Sequence, residues 1–87
     1  MSNKIFKYHL ALGESVIDLP ETAKILSVQV QADAICLWAI VSPEKETEAR
    51  RFIVVGTGHE LPEGRLQYLA TVQQGPFVWH AFEVMEH

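Results

Sequence analysis

The chain has 87 residues, 48% of them hydrophobic and 21% charged, with a formal net charge of −4 at pH 7. This composition is typical of one globular domain and excludes a disordered chain. The acidic balance argues against nucleic-acid binding, which depends on clustered Lys and Arg, and the longest apolar run is too short for a membrane helix, which needs about 20 residues.

The first predicted strand covers residues 4–12, where apolar and mixed side chains alternate with the period of two of a half-exposed strand. Its apolar face consists of Phe6, Tyr8, Leu10 and Leu12. Gly13-Glu14 is then expected to form a hairpin turn, because glycine accepts a positive φ. The return strand Val16–Leu19 stops at Pro20, which lacks an N–H group and therefore belongs at a strand end or a sheet edge.

The next predicted strand, residues 24–31, alternates most cleanly. Leu26, Val28 and Val30 are expected to point inward, and Ser27, Gln29 and Gln31 outward. The outer face carries no charge, so two interpretations stay open: a solvated polar face, or a contact with a second copy of the chain. Ala32-Asp33 is a plausible two-residue turn into the following strand.

Two runs, Ile35–Val41 and Phe52–Val55, are apolar at every position. Continuous apolar runs of this length are typical of strands buried on both faces, so we expect them to be the central strands of the domain. The segment between them, Ser42–Arg50, contains Pro43 and mixed charges. It is predicted to be a mobile, solvated loop.

The last two predicted strands are residues 65–73 and 77–84, joined by a hairpin at Gln74-Gly75. In the first of them, Leu66, Tyr68, Ala70 and Val72 are expected to share one face. Met85–His87 is predicted to fray.

About seven short strands with turn residues between them indicate a single all-β domain over residues 1–87, an antiparallel sandwich or a partly open barrel with at most one or two 3₁₀ turns. Cys36, the only cysteine, allows no disulfide within the chain and is expected to be buried. With no signal-peptide pattern at the N-terminus, the expected location is the cytoplasm.

The best candidate for a ligand site is the tetrapeptide Gly56-Thr57-Gly58-His59. Two glycines around a hydroxyl expose backbone N–H groups that suit an anion, and an imidazole serves as acid, base or ligand near neutral pH. The competing interpretation is structural: the glycines permit a bulge or a positive φ at a strand end, and His59 bonds a neighbouring carbonyl.

Catalysis and metal binding have weaker support. The four histidines are far apart in sequence, so neither a metal nor a cofactor is predicted. No serine has an elbow sequence around it, and the carboxylates lie in segments expected to be solvated. His80 is expected to be a partly buried, hydrogen-bonded side chain. We therefore disfavour an enzyme.

Three segments, Ala23–Gln29, Leu37–Ala39 and Gly56–His59, resemble the motifs of a family of small uncharacterised proteins of bacteriophages and bacteria: Ala-Lys-x-Leu-Ser-Val-Gln, Leu-Trp-Ala and Gly-Thr-Gly-His. The resemblance implies a phage or prophage origin and action inside the bacterial host cell. It supplies no activity, cofactor or catalytic residue.

These observations lead to two functional hypotheses. The first is a non-enzymatic accessory protein that acts by binding, as a homo-oligomer or with a host or phage protein, and contacts neither nucleic acid nor membrane. The alternative is a small ligand-binding protein or hydrolase whose site is Gly56, Thr57, Gly58 and His59.

Overall fold

The computed structural model describes residues 2–85, which form seven antiparallel strands in two sheets and no helix. The strands are β1 Lys4–Leu10, β2 Gly13–Pro20, β3 Lys24–Gln31, β4 Ala34–Val41, β5 Thr47–Gly56, β6 Leu66–Gln74 and β7 Phe77–Val84. One sheet has the order β1-β4-β3 and the other β2-β5-β7-β6, without closure into a barrel. The predicted all-β architecture is confirmed. None of the described residues belongs to a helix that could cross a membrane.

The two apolar runs are interior strands, each of a different sheet. β4 lies between β1 and β3, and β5 lies between β2 and β7. Leu37 and Phe52 are both 0% exposed and belong to the core between the sheets. Their neighbours Trp38 and Ile53 are only half-buried, because they project from the outer faces, where no further layer covers them.

The predicted hairpin at Gly13-Glu14 is wrong. β1 pairs with β4 and β2 pairs with β5, so the chain crosses from one sheet to the other between Leu10 and Gly13. Gly13 already pairs with Val54, and Leu12, expected on an apolar face, is 56% exposed at the crossing. Pro20 ends β2 at the edge of its sheet, as predicted.

Two β-bulges overturn parts of the predicted strand faces. The register of β3 against β4 shifts between Ile25 and Ser27, so that Leu26 is 45% exposed and Ile25 packs on the core instead. In β6 a shift between Tyr68 and Ala70 leaves Tyr68 57% exposed and packs Leu69 on the core. One extra residue reverses the alternation before it relative to that after it, so a single period of two places the residues after each bulge correctly and those before it on the wrong face.

The connections between β3 and β4 and between β6 and β7 are both hairpin turns. Ala32 and Asp33 have φ of 50° and 64°, the pair of positive values found in a type I′ hairpin turn. Gly75 has φ of 57° in the β6–β7 turn. The hairpin at Ala32-Asp33 is therefore confirmed as predicted. The hairpin between β6 and β7 is confirmed too, but its turn is one residue later than the predicted Gln74-Gly75, because Gln74 still pairs with Phe77 and the turn residues are Gly75 and Pro76.

The predicted loop Ser42–Arg50 is too long. Residues 47–50 belong to β5 and pair with residues 17–20 of β2, leaving a connection of residues 42–46. Residues 47–50 were therefore wrongly assigned to the loop. They pair with β2 on one side only, because β7 pairs with residues 51–56, and this less covered end of β5 tolerates charges. Beyond β7, the Met85 amide donates to the Arg65 carbonyl oxygen at 2.8 Å, while Glu86 and His87 lie outside the described residues.

Polar contacts join the two sheets at opposite ends of β3. At its start, Arg50 donates to the Ala23 carbonyl oxygen at 2.6 Å and forms two hydrogen bonds with Glu83. Past its end, Gln74 donates to the Asp33 carbonyl oxygen at 2.8 Å and accepts from the Trp79 indole N–H at 3.0 Å. The hydrogen bond from the Trp79 indole to Gln74 fixes this side chain beside Gly56, at the end of β5.

Candidate functional site

Gly56-Thr57-Gly58-His59 forms a tight turn at the end of β5. The His59 amide donates to the Gly56 carbonyl oxygen at 3.1 Å, and Gly58 has a φ of 89°, as the third residue of a type II turn requires. A Cβ at Gly56 would lie 3.2 Å from atoms of the His59 ring and of the Trp79 ring. Each glycine therefore has a structural reason of its own: space at position 56 and backbone conformation at position 58.

The turn also forms one wall of a pocket with a volume of about 430 Å³. The opposite wall is the start of β7, where the Phe77 and Trp79 rings stack with centroids 5.7 Å apart and planes at 24°. The lining residues are Gly56, Thr57, His59, Pro76, Phe77, Val78 and Trp79. Three of the four predicted site residues thus line the pocket, whereas Gly58 is in the turn but not on the wall.

Thr57 begins a row of hydrogen bonds across the outer face of the four-stranded sheet. Its hydroxyl lies 2.7 Å from His80 Nε2, and His80 Nδ1 lies 3.0 Å from the Thr71 hydroxyl. The Thr71 hydroxyl lies 2.7 Å from the Tyr68 hydroxyl. The half-buried His80 is hydrogen-bonded as expected. Tyr68 was not predicted on this face, because the bulge in β6 puts it there, and the contact of Thr71 with His80 could not be predicted because it depends on the pairing of β6 with β7.

Comparison with protein-family models shows which family the chain belongs to. A family model described as a domain of unknown function (DUF7352) matches residues 1–87. The chain belongs to this family. The expected membership of an uncharacterised family is thereby confirmed at that level, while the phage origin stays a prediction. No curated protein and no solved structure matches the DUF7352 chain.

The other candidate groups of the DUF7352 domain have structural partners. Ser15 Oγ accepts from the Ala11 amide at 2.9 Å, and the Ser42 hydroxyl donates to Asn3 at 2.8 Å. Cys36 is 1% exposed, as predicted. Within residues 2–85, no three His, Cys, Asp or Glu side chains come together as metal ligands.

Arg50 and Glu83 form the buried ion pair of the domain, with side chains 18% and 8% exposed and an Nε–Oε2 distance of 2.7 Å. The hydrogen bond to Glu83 raises the pKa of the Arg50 guanidinium above its ordinary value, against the opposing effect of burial. Three guanidinium N–H groups and both carboxylate oxygens are engaged. The pair therefore acts as a structural link between strands.

Alanine substitutions distinguish the two structural reasons for glycine in this turn, which are the lack of space at Gly56 and the positive φ at Gly58. We expect Gly56→Ala to lower the free energy of unfolding by about 1–3 kcal/mol through overpacking, because Gln74 and Phe77 hold Trp79 in place. Gly58→Ala should cost about 1–2 kcal/mol through its left-handed backbone, with open space around the new methyl group. Denaturant unfolding measures both losses, and the Trp79 emission spectrum should change in Gly56→Ala alone. An unchanged spectrum in that variant would contradict the packing.

Proposed function

We propose that this DUF7352 domain is a non-enzymatic binding domain, and that a flat ring of its ligand or partner enters the pocket between the Gly56–His59 turn and the start of β7. The observation that carries the proposal is Phe77, which is 57% exposed yet stacked on the half-buried Trp79 at the wall of this pocket. Largely apolar pockets with a few polar groups are typical of ligand sites, and 430 Å³ lies within their usual range of about 300–1,000 Å³.

The wall is held in place without a ligand, which favours binding. The Trp79 indole is fixed by Gln74, Gly56 leaves room for the ring edge, and Phe77 offers its exposed surface. A preorganised aromatic wall spares a ligand the free energy of ordering those side chains.

A hydrolase is the second candidate, favoured by the 2.7 Å contact between the Thr57 hydroxyl and His80 Nε2, which is the spacing of a nucleophile and its general base. The other ring nitrogen faces the neutral Thr71 hydroxyl instead of a carboxylate. A carboxylate at that place stabilises the imidazolium that forms during catalysis, so its replacement by a hydroxyl favours binding over catalysis.

From the family resemblance we also propose that the domain is a phage or prophage accessory protein that acts in the host cytoplasm and binds a host or phage protein. Self-association is part of it, supported by large exposed side chains such as Ile5 and Val16, each 61% exposed. Light scattering over a range of concentrations tests this part, and a strict monomer throughout would remove it.

Binding at the pocket is tested by tryptophan fluorescence. The chain has two tryptophans, so Trp38→Phe leaves Trp79 as the single reporter. Titration with neutral compounds that carry a flat ring, such as benzyl alcohol and benzamide, should change its emission saturably for at least one of them. Adding Phe77→Ala should weaken that binding about tenfold, the loss of roughly 1.4 kcal/mol expected from removing one aromatic wall.

The matched control is Phe6→Ala, which removes another exposed phenylalanine, 38% exposed on β1 of the other sheet. It should leave the binding unchanged. Equal losses from both substitutions, or a linear and unsaturable response to every ring compound, would contradict the proposed site.

A further inference from the structure

The outer face of the four-stranded sheet is apolar, and no other strand of residues 2–85 covers it, because the two sheets pack through their inner faces. Its middle row pairs Ile53 with Phe82 and Phe82 with Tyr68, and the last two rings meet edge to face with centroids 5.7 Å apart. Val16 and Tyr68, toward the two edges, are 61% and 57% exposed. Apolar patches of several hundred Å² usually mark interaction surfaces. The apolar side chains of this face are Val16, Ile53, Val55, Leu66, Tyr68, Val78, Phe82 and Val84.

The outer face of the three-stranded sheet is narrower and carries lysines. Lys24 pairs with Ile40 on this face. Lys7 crosses it and donates to Gln31 at 2.7 Å. Lysines on edge strands are typical of sheets that are protected against association with other chains. The four strands of the larger sheet contain no lysine, so its outer face is the better surface for association.

The charges of the four-stranded face are confined to one side of it. Glu14 and Asp18 project from β2, and Glu14 forms an ion pair with Arg51 of β5. At the opposite edge, β6 has no charged residue and carries the Tyr68 and Thr71 hydroxyl groups. Two copies that met with β2 over β2 would place carboxylates against carboxylates, which is unfavourable. With β2 of each copy over β6 of the other, the carboxylates face hydroxyl groups instead.

The size of the face predicts how firmly two copies associate. Its strands have eight to ten residues. Four such strands, spaced about 4.8 Å apart, present a face of about 500 Å². Two copies packed face to face therefore bury at least about 1,000 Å² together, which is the lower limit for a specific interface. We expect a reversible dimer.

We infer that a second copy of this chain docks on the outer face of the four-stranded sheet, face to face, with β2 of each copy over β6 of the other. The inference rests on the self-association in the proposed function and assigns its surface. The two-fold axis runs along the strands, between β5 and β7. The row from Glu14 to Tyr68 then meets the same row of the other copy in reverse order, so that Ile53 packs on the partner's Phe82.

Docking on this face leaves the ring pocket accessible. The aromatic wall of the pocket is on the inner side of the sheet, where Trp79 packs on the core and Phe77 stacks on Trp79. The dimer therefore presents two ring sites, one in each copy. Self-association and ring binding can then be measured independently of each other.

The docking face is tested by the dissociation constant of the dimer, measured by light scattering of the full chain over a range of concentrations. Val16→Lys should weaken the dimer about tenfold or more, because a charge enters an apolar contact in each copy. The matched control is Ile5→Lys, the same change of charge at a side chain that is also 61% exposed, on the outer face of the other sheet. It should leave the dissociation constant unchanged. Denaturation curves check that both variants are folded.

Two charged substitutions at Tyr68 test which strands face each other. Tyr68→Glu brings a carboxylate opposite the partner's Glu14, whereas Tyr68→Lys brings a cation to the same place. Both variants lose the same ring and the same hydrogen bond to Thr71. Tyr68→Glu should therefore weaken the dimer about tenfold more than Tyr68→Lys, through the opposing charge alone.

The contrary results are distinct. Loss of the dimer in Ile5→Lys but not in Val16→Lys would overturn the inference and leave self-association through the other sheet. Equal effects of Tyr68→Glu and Tyr68→Lys would overturn the placing of β2 over β6. A strict monomer would overturn the inference together with self-association, and would make another protein the partner of this face. Ring binding to the pocket, titrated in Val16→Lys, should persist in every case unless the proposed pocket is itself wrong.

Discussion

Replacing Glu83 with alanine should lower the free energy of unfolding by about 3–5 kcal/mol, because it leaves the Arg50 guanidinium buried without an anionic partner. The Arg50 side chain is 18% exposed, and its two hydrogen bonds to Glu83 measure 2.7 and 2.8 Å. A domain of this size has a total stability of roughly 4–13 kcal/mol, so the loss is a large part of it. Denaturant unfolding at low temperature measures the difference.

The chain offers a matched control in its exposed ion pair. Arg51 and Glu14 have side chains 45% and 47% exposed, and Glu14→Ala should cost at most about 1 kcal/mol. The double variant Arg50→Met/Glu83→Leu should recover most of the loss of Glu83→Ala, because apolar side chains replace both charges together. Equal effects of Glu83→Ala and Glu14→Ala would show that the Arg50–Glu83 pair is solvated.

Phe52→Ala should destabilise the domain by about 3–5 kcal/mol, the usual loss for a truncated core phenylalanine. Phe52 is the largest of the fully buried side chains and is 0% exposed between the two sheets. Its removal leaves a cavity that the paired strands on both sides cannot close. The variant should therefore unfold at a markedly lower denaturant concentration, as followed by circular dichroism.

The neighbouring residue tests which face of β5 the core covers. Ile53 points to the outer face, where it is half-buried, so Ile53→Ala should cost only about 1–2 kcal/mol. Similar losses at both positions would mean that the outer face is as closely covered as the core, and the two-layer arrangement would need a third layer.

The number and position of the strands could be predicted from the sequence, but their arrangement could not. Apolar runs and turn residues are local signals, and they located β4, β5 and the two hairpin turns. The crossing between Leu10 and Gly13 depends on which interior strand each partner pairs with, and Gly13 looks the same in a hairpin and in a crossover. The bulges at Leu26 and Leu69 add one residue each, which no local pattern marks.

The candidate site could be predicted in part. The two glycines marked the Gly56–His59 turn, because close approach and positive φ both require glycine. The opposite wall could not be foreseen, since it depends on the pairing of Gly56 with Trp79, which are distant in the chain. Arg50 was misread for a related reason: a charged residue that will be buried against Glu83 has the same local sequence context as a solvated one.

The most direct test of the account is to map ring binding by amide chemical shifts. We expect benzyl alcohol, added to ¹⁵N-labelled protein, to shift the amide signals of Thr57 to His59 and of Phe77 to Trp79 saturably and with one dissociation constant. The β1 amides should stay unshifted. Saturable shifts confined to another surface, or none at the turn and the start of β7, would contradict the assignment of this pocket as the binding site.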